Sequence, residues 1–229
     1  YEAALPKIQE AYIIASESNC CSFDMTVFWG LDYADALTGL HKFGEALNTT
    51  KEILHLIRQK RHPSDRFVEA ALLRLGDFAS RNGDHDQSRT FFEELRDWNR
   101  KYWPEKQEAA LYAEVNAAMQ RLYEDVRLAN TVDTLQLVEQ AANLADPNED
   151  LLCMSVAFMI GSNMIQSEGA EHNTFYTDEI DRATRQYELD DQSVEKVHRH
   201  ILTIFTETGR DDLKKLVPKL LRDTDEMGS

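Results

Sequence analysis

The sequence predicts an all-α protein, built of antiparallel helical hairpins stacked into an α-solenoid. Three observations carry that prediction. Apolar residues recur at helical spacing from end to end, with no convincing alternating strand. Only nine Gly and five Pro punctuate 229 residues, too few for the turns of an all-β chain. Two stretches repeat each other at an offset of 42 residues.

The elements follow in order. Segment 3–18 places Ala4, Ile8, Ala11, Tyr12 and Ala15 on one stripe, and segment 24–40 does so with Val27, Phe28, Leu31, Ala34 and Leu37. Segment 44–60 groups Leu47, Ile53, Leu54 and Ile57. The pair 64–81 and 85–101 opens after His62-Pro63, with Ser64 as the expected N-cap. Trp103-Pro104 then separates it from a long helix over 105–129, Pro104 suiting a first turn that needs no N–H. Segment 131–145 ends at Asp146-Pro147, and helices over 149–167, 177–188, 191–207 and 210–223 complete the chain. That makes ten or so helices, with the longest break at 168–176. No linker rich in Pro, Gly or Ser interrupts them, so a single domain over 1–229 is expected. Its clearest repeats span 24–147, and 148–229 is less regular, a C-terminal helical cap.

Aligning HKFGEALNTTKEIL (41–54) with GDHDQSRTFFEELR (83–96) superposes Ala46 on Ser88, Thr50 on Phe92 and Leu54 on Arg96. The preceding helices align as well, Tyr33-Ala34 with Leu75-Gly76. A period of this length means hairpins that cannot bury their apolar faces alone and stack to share a core. Leu75 is then a core residue, and Gly76 marks a close approach of two helices. Gly83 supplies a left-handed helix end. Ser88 is small where the second helix crosses the first, and Phe91, Phe92 and Leu95 provide bulk toward the next unit.

This order of residues, with the stretch KRHPSDRFVEAALLRLGDF, resembles a tetratricopeptide repeat. The 42-residue spacing is similar to the longer-helix form of kinesin light chains and of the sensor arrays of signal-transduction ATPases. Two departures stand out: Gly30 begins the first repeat where a bulky residue is usual, and Thr50 replaces an aromatic. The resemblance implies a right-handed superhelix and a concave groove lined by the first helix of each hairpin. Its lining would be Asp35 and Thr38, then Asp77, Ser80 and Arg81, then Gln120, Glu124 and Arg127, with Asn163 and Gln166 beyond. It also implies a non-enzymatic module that binds a protein or peptide partner, as a scaffold or as the sensor part of a larger protein. Asp35, Asp77 and Glu124 would form an acidic strip suited to an extended, basic ligand. Two alternatives stay open. One is a structural subunit of an assembly of the proteasome-lid or signalosome type, where similar LGD…GD hairpins occur. The other is a helical enzyme domain with an unrecognised site.

Charge narrows the partners. Asp+Glu outnumber Lys+Arg 41 to 25, a net charge of −16, against nucleic acid and anionic membranes. No apolar run approaches the 18 residues of a spanning helix. Cys20, Cys21 and Cys153 have no metal-ligand spacing and no disulfide framework, which favours a reducing, cytoplasmic home. The opening YEAALPKIQE, without Met, reads as an excised domain. Phosphate loops, HExxH, GxSxG and EF-hand loops are absent from the sequence, so no metal, cofactor or catalytic residue is expected. Asp84-His85-Asp86 reads as a solvated turn, and His198 and His200, two apart, do not share a helical face. Trp98, Arg100, Lys101, Tyr102 and Trp103 form a second-choice partner surface, aromatics interleaved with cations. Arg58, Lys60 and Arg61 suit a helix C-terminus. Lys214, Lys215, Lys219 and Arg222 ride a terminal amphipathic helix, and Met154, Met159 and Met164 are expected in the core.

Overall fold

The computed structural model describes residues 3–17, 21–124, 131–144, 149–166 and 172–218, with no strand among them. Contacts gather the chain into two compact units, Tyr1–Lys106 and Gln107–Ser229.

Unit 1 holds α1 (Leu5–Glu17), α2 (Phe23–Thr38), α3 (Phe43–Lys60), α4 (Arg66–Arg81) and α5 (His85–Tyr102), each packed on the next. Side chains start three of them. Ser22 accepts from the Met25 N–H, Asp65 from Phe67 and Asp84 from Gln87, so Asp65 rather than Ser64 caps α4. Gln87 also donates its amide to the second Asp84 oxygen, which fixes the cap. Two ends share one closing motif. At α4, Asp84 N–H reaches Ala79 O and Gly83 N–H reaches Ser80 O, with Gly83 at φ 76°. At α2, Lys42 N–H reaches Leu37 O and His41 N–H reaches Thr38 O, with a non-glycine residue, His41, at φ 58°.

The helices of unit 1 lie in two layers. Arg74 of α4 joins Asp35 of α2 through Nε and Nη2 at 2.8–3.1 Å. In the other layer Arg58 of α3 meets Glu94 of α5, and Lys51 lies over the Phe91 ring. Between layers, Gly76 faces Phe92 so closely that an added Cβ would lie 2.7 Å from the ring. The close approach predicted at Gly76 is therefore real, but its partner belongs to the same hairpin. The Phe92 ring fills its own hairpin, where α5 faces α4. Thr50, aligned with Phe92, is buried and turns its hydroxyl back to the Ala46 carbonyl at 2.9 Å. Phe28 departs from expectation: it is 50% exposed, and Val27, Leu31, Ala34 and Leu37 form the buried stripe without it.

Unit 2 holds α6 (Gln107–Glu124), α7 (Thr131–Ala142), α8 (Glu149–Gln166), α9 (His172–Gln186), α10 (Asp191–Glu207) and α11 (Asp211–Lys214). Helix α8 is its axis. From Leu151 to Ile165 all but Leu152 and Asn163 are buried, as α6, α7, α9 and α10 surround it. Met154, Met159 and Met164 lie in this core as expected, with Phe158 and Phe205. Gly161 admits Ile204 of α10, whose Cγ2 would be 3.1 Å from an added Cβ. Helix α9 begins at His172, five residues before the expected start. Helix α11 is a single turn where 210–223 was expected, and Lys219 and Arg222 lie outside the described residues.

Candidate functional site

An exposed face runs along α2 and α4 of unit 1. On α2, Met25, Phe28, Asp32 and Asp35 recur at intervals of three and four, one helical stripe beside the buried Val27, Leu31 and Ala34. On α4, Arg66, Ala70, Leu73, Asp77 and Arg81 lie opposite the buried Val68, Ala71, Leu72 and Leu75. The Arg74–Asp35 pair bridges the two stripes. Among the described residues Asp77 pairs with Arg81, one turn on in its own helix, at 3.1 Å. Thr38 returns its hydroxyl to Ala34 O at 3.1 Å, and Ser80 is half-buried beside Asp77. The five groove residues expected in unit 1 thus fall on or beside one face.

The remaining expected groove residues belong to unit 2. Gln120 is 3% exposed and so sits inside that unit instead of lining a groove. Asn163 is half-buried on the enclosed α8, its Oδ1 without a hydrogen-bond partner among the described residues. Glu124 and Gln166 are exposed at helix ends, and Arg127 lies outside the described residues. The difference follows from α8, which is apolar on every side and is therefore covered rather than presented.

No family model matches the chain, and no curated protein does. Among solved structures, one described as a Podosopora anserina kinesin light chain with nearly identical TPR-like repeats superposes with a TM-score of 0.57. The identity is 10%, over 87% of this chain and 95% of that one. The fold is a tetratricopeptide-like α-solenoid.

In this tetratricopeptide-like chain the aromatics of the second-choice surface pack on one another. Trp98 is 7% exposed and its indole N–H donates to the Pro63 carbonyl at 2.6 Å, fastening the α3–α4 connection to α5. Tyr102 and Trp103 pack on Trp98, Lys101 covers the Tyr102 ring and Lys106 the Trp103 ring. Arg61 pairs with Asp24 while it and Lys60 cover Phe23, tying α3 to α2. The capping residues Arg58, Lys60 and Arg61 thus also tie helices together.

Clusters with chemical potential in unit 2 are arranged for structure. Burial, then Glu149, pushes the Cys153 thiol up to about 11, so it is not a ready nucleophile. Cys20 lies outside the described residues, and Cys21 is half-buried. Lys196 bridges Glu149 and Asp150 at 2.9 and 2.7 Å, raising its pKa through those bonds and fastening the start of α8 to α10. His198 Nδ1 lies 2.5 Å from the Tyr176 hydroxyl, while burial holds His198 and His200 below the usual histidine range. Among the described residues no group of three His, Cys, Asp or Glu side chains could hold a metal, and no helix is long and apolar enough to cross a membrane.

Two features escaped the sequence reading. A cleft of ≈ 460 Å³ between α6 and α7 is lined by Gln107, Leu111, Gln136, Glu139, Gln140, Asn143 and Leu144. Amides have no signature until two helices bring them together. The second is the exposed pair Met25 and Phe28, of which the sequence pattern placed Phe28 on the apolar stripe.

Proposed function

We propose that the protein is a non-enzymatic interaction module that binds an extended protein segment along the α2/α4 face, as scaffold or sensor part of a larger protein. The observation that carries this reading is the Asp35, Asp77 and Arg81 face, held by helices whose opposite sides form the core of unit 1. Rigid helices lose little freedom on binding, so polar groups placed there can read a partner's side chains. The 42-residue spacing is read as one hairpin per repeat, α2–α3 and α4–α5, with the partner basic and the protein cytoplasmic. The acidic balance argues against nucleic acid and anionic membrane as partners. Replacing Asp77 with Lys should weaken a basic ligand several-fold while leaving the melting temperature nearly unchanged. Asp77 is part-exposed and its intrahelical pair is worth only about 0.3–0.5 kcal/mol. An acidic ligand, or equal binding by the variant, would sink the assignment.

A second reading, a permanent assembly subunit, draws on α1, where Ile13 and Ile14 are 43% and 53% exposed. Solution mass across a dilution series separates the two: an obligate subunit stays associated as it is diluted.

A further inference from the structure

The α2 stripe changes character along its length. Met25 and Phe28 in its first half are 44% and 50% exposed, with Trp29 edge-on to Phe28 at 5.6 Å between ring centroids. Asp32, one turn beyond Phe28, is half-buried, and Asp35 follows. Across on α4 the order is the same: Leu73, 37% exposed, precedes Asp77.

The charges on this face are not equally engaged. Arg74 is committed to Asp35 by two guanidinium nitrogens and to the Ala70 carbonyl by a third. Arg81 is committed to Asp77. Asp32 has neither a hydrogen bond nor an ion pair among the described residues. Burial first, and then the Asp35 carboxylate, raise its pKa, and Arg74 offsets this only in part. A carboxylate in that position gains from a cation brought by a guest, and the apolar pair beside it gains from cover.

Resting on the interaction-module reading above, we propose that this face recognises an extended peptide carrying an apolar residue and, two positions away, a Lys or Arg. The apolar side chain covers Met25 and Phe28, and the cation pairs with Asp32. Helical rise places Phe28 and Asp32 about 6 Å apart along the axis. Same-side residues of an extended chain repeat at about 6.6–6.8 Å. The intervals match, so both side chains reach their positions without bending the peptide. Adjacent placement of the two would turn them to opposite sides.

The test uses the full chain and fluorescein-labelled synthetic peptides centred on Leu-Ser-Lys, Leu-Ser-Glu, Ala-Ser-Lys or the adjacent arrangement Leu-Lys-Ser, titrated by anisotropy up to millimolar concentrations. The Leu-Ser-Lys peptide should bind at least about tenfold more tightly than the other three. Phe28→Ser should erase the advantage of Leu over Ala. Asp32→Lys should reverse the preference, so that Leu-Ser-Glu becomes the better ligand, an outcome that mere structural damage cannot produce. Circular-dichroism melting checks that both variants are folded. Equal binding of the four peptides, or binding of Leu-Ser-Lys unchanged by Asp32→Lys, overturns the proposal. If Asp77→Lys weakens a basic peptide while Phe28→Ser and Asp32→Lys do not, the interaction face stands and this motif falls. If no peptide responds to any of the three variants, both fall.

Discussion

The two units solve the same problem, burying helices of ordinary length, in opposite ways. In unit 1 every helix keeps a polar face, and residues 1–106 carry 14 Lys+Arg against 17 Asp+Glu. In unit 2 one helix, α8, gives up its polar face almost entirely, and residues 107–229 carry 11 Lys+Arg against 24 Asp+Glu. A helix that is apolar all round must be surrounded, so its neighbours bring the charge to the surface. A layered stack of amphipathic helices instead leaves one face of each layer free. The difference teaches where a binding face can exist: α2 and α4 display side chains that α8, by its composition, must bury.

The largest effects should come from the two cores. Phe158→Ala, in the middle of α8, removes a ring 2% exposed and should cost about 3–5 kcal/mol. Urea unfolding measures the cost, and hydrogen exchange should rise across α7, α8 and α10. Phe92→Ala should cost a similar amount with the exchange rising in α4 and α5, and spreading of either effect through both units alike would break the comparison. Next comes Gly76→Val, which forces a branched side chain into the Phe92 ring and should cost about 1–3 kcal/mol. Adding Phe92→Leu should recover part of that loss, since the smaller partner relieves the clash. Failure of the double variant to recover stability would mean that backbone, not ring contact, sets the limit at Gly76.

Each unit also contains a helix end with a left-handed residue other than glycine, His41 in unit 1 and Glu188 in unit 2, at φ 58° and 52°. His41→Gly and Glu188→Gly should each stabilise by roughly 0.5–1 kcal/mol, because the Cβ penalty disappears. A loss of stability at His41 would show that its ring, edge-on to Phe43, matters more than its backbone.

The smallest effect is a pH dependence of unit 2 between neutral and mildly acidic pH. Burial holds His198 and His200 below the usual range, so near pH 6.5 the unfolded chain takes up protons that the folded unit resists. Stability should therefore fall as pH drops from about 7.5 to about 5.5. Glu179 acts in the opposite sense lower down: burial raises its pKa, so the folded state gains as that carboxyl protonates. Replacing both histidines with Gln should flatten the drop in the urea midpoint, and an unchanged slope would assign it elsewhere.

Helix positions were legible because α3, α4, α5 and α10 alternate apolar and polar residues with strong contrast, and breaks such as Asp84 and Trp103-Pro104 mark their ends. The start of α9 was not. Its first turns carry no cap or breaker that sequence could single out, and only the packing of Phe175 and Tyr176 on the core of unit 2 reveals them. The left-handed end was readable at Gly83, where glycine signals it, and unreadable at His41, where the backbone hydrogen bonds impose it. Candidate site residues divide the same way. Asp35, Asp77 and Arg81, which the tetratricopeptide resemblance implied for the first helices, are part-exposed on α2 and α4, off the apolar stripes that those helices bury.

Neighbours decided the rest. Gln120 is polar and periodically placed, yet buried, because burial depends on what packs against a face and not on the face alone. Phe28 is aromatic and lies beside the apolar stripe, yet exposed, because α1 and α3 cover other sides of α2. Sequence by itself determined which stretches are helices and which stripe of each seeks cover, since both follow from local spacing and chemistry. Tertiary structure alone decided which stripes found a partner, because that depends on the shapes and positions of helices distant in the chain.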